Sequence, residues 1–531
     1  MHAYCLVVAL YGMATGVIYA ADERSQQMDI PRITSRVGLL DAVRFSLALN
    51  PNIQIQERQV ESSSGILQQA TGQFDSTVGV EVGHNLDNSP INQVNRLIYA
   101  RQGFPVSQLA TEATNYSLSL NDPLRNGIVL SSKVGITSTI STSNDITSKL
   151  YGMGNMSAQN LGSVGFSISV PLLKGNWESA SAGETAAKLE VEAARQDLRY
   201  TISQNIQNTV QAYWALLAAH KNLEITKESE EGISLMVDQT RKLIKADELP
   251  AADINLLLAN QLNKTSLRIS NEQALLSAQQ ALGQLMGLTY QQISTLNPAD
   301  EFPPNTSETP AHESQLAHFT HLAMERRSDL AAALLRQDSA RTLTSANKNN
   351  LKPQLNLTGS IGYAGLVEGG NPIEGLSQNT SGASFGTTIS YLWPFDNNVA
   401  RGRYRQQAAL YDQSTIQIAN VTRSIGLGVE IAMSGLMRSA VQLRKSEEAV
   451  KFYHTAVENE KIKYKLGNST MVDILTTNDR LLNERLSYIS YRLNYLNTLV
   501  QLNFQTGALL VENEIGQSIR LDQLINIPKL D

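Results

Sequence analysis

Apolar and polar positions alternate with two different periods along this chain, and the points where one period gives way to the other divide it into segments. Apolar residues three or four apart, as at Ile202, Ile206, Val210, Tyr213 and Leu217, run through a helical pattern of about 69 residues that begins after Pro171, and a similar pattern begins after Pro394. Each long pattern stops at a tip and is followed by a return helix of about 36 residues; a helical stretch of about 35 residues opens each unit. At 1.5 Å per residue the long helix reaches roughly 100 Å, and the two shorter ones end to end reach about the same. Their stripes are diluted by Ala, Ser, Gln and Asn, which suits narrow coiled-coil seams with a wetted opposite face. A plain coiled-coil stalk fits that pattern equally well.

Between the helices the period falls to two. Thr77 to Gly83, Gly165 to Val170, Gln354 to Tyr363 and Ser384 to Trp393 alternate apolar with small or polar residues, the pattern of a wall with lipid outside and water inside, or of a soluble β-sandwich lid. Tyr363, Tyr391, Trp393 and Phe395 lie near strand ends, where aromatic girdles meet a membrane interface. Two hairpins supply four membrane strands per chain, and fewer than about eight strands cannot close a barrel, so the chain is expected to oligomerise. A longer insertion, from about Asn85 to Leu161, carries a further hairpin, Tyr116 to Leu120 and Ile128 to Thr139, joined through Asp122-Pro123-Leu124-Arg125-Asn126-Gly127. The insertion reads as an extracellular loop.

The chain is also internally duplicated. Residues 42 to 83 align without gaps onto 319 to 360, with Val78 and Val80 answering Leu355 and Leu357. Val170-Pro171-Leu172 answers Trp393-Pro394-Phe395, and Asp253 and Gly287 are spaced as Asp473 and Gly507 are. The organisation that follows is a leader over 1–21, a first repeat over 22–288, a polar linker over 289–314, a second repeat over 315–510 and a tail over 511–531. The tails 22–37 and 511–531 are short and mixed, and a belt around the helices is one use for them.

Composition narrows the function classes. Among 531 residues, 42% are hydrophobic, 17% charged and 6% aromatic, with a net charge of −6, so neither disorder nor nucleic-acid binding is expected. Met1 to Ala21 contains no Lys, Arg, Asp or Glu and resembles a secretory signal peptide ending near Ile18-Tyr19-Ala20. Cys5, the single cysteine, falls inside it, so no disulfide, thiolate metal site or catalytic thiol is expected after cleavage. Beyond residue 21 there is no run of eighteen apolar residues, and a membrane crossing would have to be a barrel. No phosphate-cradling loop, nucleophile elbow or metal-protease motif is present, which points away from an enzyme and from any cofactor. His312, His318 and His321 lack a completing carboxylate or cysteine and read as a solvated helix start, with no metal expected.

Three motifs, in this order and duplicated spacing, resemble the TolC-type outer-membrane efflux family over nearly the whole mature chain. They are Ala42-Val43-Arg44-Phe45 through Asn50-Pro51-Asn52-Ile53, the strand-to-helix corner Val170-Pro171-Leu172, and the tip Tyr464-Lys465-Leu466-Gly467-Asn468-Ser469-Thr470-Met471-Val472-Asp473-Ile474-Leu475. The resemblance implies a mainly α chain with a membrane β-barrel: a homotrimer whose twelve-strand barrel, four strands per chain, crosses outer-membrane lipid and continues into a coiled-coil tunnel through the periplasm. It further implies passive conduction for a tripartite efflux or type I secretion system, with a periplasmic adaptor (membrane fusion protein) and an inner-membrane pump as partners. The competing expectation is a non-conducting periplasmic coiled-coil or adhesive stalk.

By the same resemblance Asp473 makes a carboxylate ring at the narrow end of the tunnel, and Asp253 and Tyr464 match positions of an inter-helix latch. The bland reading of each is a polar residue near a helix end, where a carboxylate suits the dipole. Asp247 and Leu249 in the first tip loop, and Leu466, Gly467, Asn468 and Ser469 in the second, are the expected adaptor contacts. Thr476 stands where a second ring carboxylate is often found and Ser469 where a basic latch residue can occur. The first tip lacks a counterpart of Gly467 and is expected to turn with Pro250 at the first helical position.

Overall fold

The computed structural model describes residues 36–152, 158–175, 177–246, 253–304, 312–376, 380–513, 516–518, 524 and 526–527. The leader expected over 1–21 lies outside the described residues. In chain order the longer elements are α1 (Leu39–Leu49), α2 (Pro51–Thr71), β1 (Thr77–Pro90), α3 (Gln93–Arg101), β2 (Gln108–Pro123), β3 (Val129–Ser141), α4 (Thr142–Tyr151), β4 (Ala158–Pro171) and α5 (Glu178–Lys245). There follow α6 (Asp253–Leu285), α7 (His312–Arg326), α8 (Ser328–Asn349), β5 (Gln354–Glu368), β6 (Ser381–Leu392), α9 (Asn398–Lys465) and α10 (Met471–Gln505). The long helices α5 and α9 have 68 residues each, and the return helices α6 and α10 have 33 and 35. These lengths are close to what the periodicity predicts.

The opening helix of each copy is broken once. Asn50 takes an extended ψ of 123°, as the residue before Pro51 must when the proline ring excludes helical geometry there. Arg327 breaks the second copy at ψ 120° without a proline.

The chain forms two compact units. One contains the chain up to Asn50 with Ala212–Phe302, and the other contains Pro51–Gln211 with the chain from Pro303 on. In the first, Leu39, Phe45, Tyr213, Leu216, Leu217, Leu257, Leu282 and Met286 are buried. Asp300 organises it: its Oδ2 accepts the backbone N–H of Leu39 at 2.7 Å, the first residue of α1, and the Tyr213 hydroxyl at 2.8 Å. Burial, reinforced by the bond to Asp300, pushes the Tyr213 hydroxyl well above the usual tyrosine range. Two residues, Arg36–Val37, pair in parallel with Asn297–Pro298 and hold the start of α1 against the end of this unit.

The second unit carries a six-stranded antiparallel sheet in the order β1-β2-β3-β4-β5-β6. Here the structure corrects one sequence expectation. Four strands per chain are expected in the sheet, with a further hairpin in the insertion, and the sheet has six, because β2 and β3 stand inside it, between β1 and β4. The local alternation of that hairpin is the same as in the other strands, and sequence alone gives no partner for it.

Cross-strand register lays the sheet out as rows. Val80, Leu118, Val134, Val164, Tyr363 and Ala383 face one way across all six strands, and so do Val78, Leu120, Ser132, Phe166, Ile361 and Phe385. The row between them, Gly79, Ser119, Lys133, Gly165, Gly362 and Ser384, is small or polar and faces the other way, because side chains alternate with period two. On this face glycine stands opposite serine: a Cβ at Gly79 would meet Ser119 Oγ at 2.8 Å, and one at Gly362 would meet Ser384 Oγ at 2.8 Å. Both apolar rows are uncovered among the described residues, with Val80 62%, Phe166 54% and Phe385 82% exposed. Tyr391, Trp393 and Phe395 are exposed at the helix end of β6, the last two stacked at 5.6 Å, whereas Tyr363 sits well along β5. Among the described residues no second large sheet covers either face, so the sandwich alternative finds no partner layer.

Four helix ends meet this sheet: α2 and α8 run into it, and α5 and α9 leave it. The turn between β2 and β3 also lies at that end. Arg125 Nε donates to Glu184 Oε2 at 2.7 Å in α5, and its guanidinium lies 5.1 Å from the Phe74 ring centre. Trp177 N–H donates to Asn126 O at 3.0 Å, and Gly127, at φ +85°, comes so near the Gly175 carbonyl that a Cβ would sit 2.3 Å from it. Glu184 is nearly fully buried, and Arg125, then Lys188, hold its carboxyl below the usual carboxylate range.

Candidate gate at the helix tips

The second tip is built by two local signals. At the end of α9, Gly467 takes φ +76°, its N–H donates to Tyr464 O at 3.0 Å, and Asn468 N–H reaches back to Lys463 O at 2.9 Å. This is the Schellman closure, which needs a residue free to adopt the left-handed region. Three residues on, Thr470 starts α10 with a capping box: Asp473 N–H donates to Thr470 Oγ1 at 3.3 Å while Asp473 Oδ2 accepts the Thr470 N–H at 2.9 Å. Leu466, Gly467 and Asn468 project at the apex, with Leu466 70% exposed, and Ser469 is half-buried.

Of the gate residues, Asp473 is thus placed as a cap. Its Oδ2 also accepts the Thr470 hydroxyl at 2.6 Å, and these Thr470 bonds, hydroxyl before backbone, hold its carboxyl below the usual range. The charged form is favoured, so the group stays anionic at neutral pH. Capping and charge are compatible: both bonds that the carboxylate accepts from Thr470 fall on Oδ2. Tyr464 is half-buried and supplies the carbonyl that Gly467 caps.

Sequence reasoning missed Glu460. The Ser469 hydroxyl donates to Glu460 Oε1, and Lys463 Nζ donates to Glu460 Oε2 at 3.0 Å. Those bonds, Ser469 first, lower the Glu460 carboxyl. The three- and nine-residue spacings were in view, but only the closed turn brings Ser469 back beside Glu460.

At the first tip, α5 ends at Lys245 and Ala246 N–H closes onto Lys242 O at 3.1 Å. Asp253 begins α6. Asp247, Leu249 and Pro250 lie outside the described residues. Below this tip, α5 and α6 are tied by Glu230, which accepts the Thr265 hydroxyl and Arg268 Nε, each at 2.6 Å.

Elsewhere, His321 Nδ1 lies 3.6 Å from Glu325, while His318 stands edge-on to Phe319. Among the described residues no group of three or more His, Cys, Asp or Glu is placed to hold a metal, and no helix is long and apolar enough to cross a membrane.

Residues 320–508 match the family model described as outer membrane efflux protein. The chain is similar to the outer membrane protein TolC of Escherichia coli strain K12, 23% identical over 376 residues that cover 68% of this chain and 73% of TolC. Its fold is that of solved outer-membrane channels. The Campylobacter jejuni CmeC outer membrane channel superposes with a TM-score of 0.62 at 15% identity, covering 88% of this chain and 85% of CmeC. The outer-membrane channel OprN gives 0.64 at 15% identity, covering 88% and 90%. The resemblance to the TolC-type outer-membrane efflux family that the motifs carry is therefore met in sequence and in fold.

Proposed function

We propose that this chain is a subunit of a trimeric outer-membrane efflux channel, conducting substrates passively from an inner-membrane pump, with a periplasmic adaptor engaging the helix tips. The observation that carries this reading is the one-sided sheet. Six strands place their apolar residues on one exposed face and their small and polar residues on the other, the arrangement of a wall between lipid and water. Among the described residues its outer strands β1 and β6 have unpaired edges. In lipid each unpaired backbone group costs several kcal/mol, so the edges must be paired by other subunits.

The reading assigns no catalysis, no cofactor and no nucleic acid, and places the helical part in the periplasm. The gate is the pair of tips. One Asp473 per subunit near a common axis forms a ring of like charges that attracts cations and opposes close approach of the tips. Tyr464 and Asp253 serve as latch positions in this reading, and the loops with Leu466, Gly467, Asn468 and Ser469, and with Asp247 and Leu249, as adaptor contacts. An adaptor opens the gate only by binding the open state more tightly than the closed one.

The test is Asp473→Asn in planar bilayers. Asparagine retains a side-chain oxygen that can accept the Thr470 bonds, so a change reads the charge and not the cap. Cation preference is expected to fall, by roughly twofold or more in permeability ratio. Unchanged selectivity removes Asp473 from the pore, and a wild-type protein that dissolves without detergent and leaves bilayers silent returns the chain to the stalk reading.

A further inference from the structure

We propose that the β2–β3 hairpin is part of the membrane wall, so that the trimer closes an eighteen-strand barrel, six strands from each subunit, in place of the twelve expected from four. This rests on the channel reading above and goes beyond it, because it sets the size of the ring.

Three observations carry it. The first is position. The hairpin is inserted between β1 and β4, the two strands that a four-strand unit would pair, and it makes full-length ladders with both. An accessory hairpin packed on the outside would leave β1 against β4.

The second is pattern. Leu118 and Val134 stand in the same apolar row as Val80, Val164 and Tyr363, and Ser119 and Lys133 stand in the same polar row as Gly79 and Gly362. The inserted strands therefore keep lipid and water on the same sides as their neighbours. A hairpin standing above the membrane has no reason to keep that phase.

The third is the lower end. The β2–β3 turn has no helix to continue into, yet it lies at the helix end of the sheet, where Glu184 holds Arg125 and the Trp177 N–H holds Asn126. The hairpin thus runs between the same two levels as the other strands.

An even number of strands leaves β1 and β6 antiparallel to each other. The β6 edge of one copy therefore meets the β1 edge of the next in the antiparallel sense used throughout the sheet, with both faces in phase, and a head-to-tail ring closes. Because barrel diameter grows about linearly with strand number, eighteen strands give a ring about half as wide again as twelve. Three subunits still bring only four helix ends each to the wall, and the pinned turns fill the two strand ends per subunit that have none.

Single cysteines test the placement in a Cys5→Ser background reconstituted into phosphatidylcholine vesicles. Ser119→Cys and Lys133→Cys are expected to react with a charged, membrane-impermeant thiol reagent about tenfold faster than Leu118→Cys and Val134→Cys. A fluorophore on the latter two is expected to be quenched by brominated acyl chains. Ser360→Cys and Ile361→Cys, on β5, are the controls. If the controls alternate and the hairpin pairs do not, the inference is overturned while the channel reading stands; if neither alternates nor is quenched, both are overturned. Electron cryomicroscopy of the purified oligomer counts the wall directly. Eighteen strands are expected, and a twelve-strand ring with the hairpin outside it is the contrary result.

Discussion

At the end of α6, Gly287 sits at φ +68° with the Leu49 carbonyl oxygen 2.5 Å from where a Cβ would stand; at the end of α10, Gly507 sits at φ +70° with Arg326 Cβ 2.9 Å from the same place. Leu49 and Arg326 hold answering positions at the ends of α1 and α7, so both copies press a glycine-capped helix end onto the end of a short opening helix. The next residue differs. Asn50 donates from its amide to Leu285 O at 2.8 Å. Arg327 donates to Gln505, forms a two-pronged pair with Asp329 at 2.9 and 2.7 Å, and lies 5.7 and 5.5 Å from the rings of Tyr200 and Phe504. The backbone approach has been kept and the side-chain chemistry exchanged. Glycine is required where main chains nearly touch and where φ is positive; the donor beside it has only to reach an acceptor.

The largest effect expected from this contrast is at Arg327, which is only 9% exposed. Arg327→Leu leaves Asp329 and Gln505 without their donor and removes both ring contacts, and should cost about 4 kcal/mol, read as a lowered unfolding midpoint of the detergent-solubilised protein. A loss below about 1 kcal/mol would mean that the second join rests on Gly507 alone. Next come the glycines. Gly287→Ala should cost about 3 kcal/mol and Gly507→Ala about 2, because the first would drive a methyl into a carbonyl and the second chiefly into a side-chain carbon. Equal values, or the reverse order, would break the comparison of contacts. The smallest effect is Asn50→Ala, about 1 kcal/mol from losing the neutral bond to Leu285 O. A loss matching that of Arg327→Leu would show that the amide carries more than this bond.

Helix lengths and the duplicated spacing were legible because they are written in long periodic stretches: sixty-eight residues give a helical period many turns in which to declare itself. Four of the strands were legible for the same reason at period two. The β2–β3 hairpin is legible as a hairpin but its neighbours are not, since Tyr116 and Ile136 declare a strand and a face without naming a partner. Full-length ladders to β1 and β4 set those neighbours, and Arg125 reaching Glu184, a contact made across 59 residues, holds the turn. At the second tip, Thr470 and Asp473 are three residues apart, so the cap was readable locally. A charge ring depends on where an axis runs, and one chain's sequence does not contain that axis.

The pinned turn also orders events in time. Arg125 is synthesised well before the carboxylate that neutralises it, and Asn126 before the Trp177 amide that it accepts. Until the start of α5 has followed β4 out of the ribosome, the base of the hairpin lacks both of these partners. The join thus acts as a late keystone: the base of the hairpin is complete only after the first rod has begun to form.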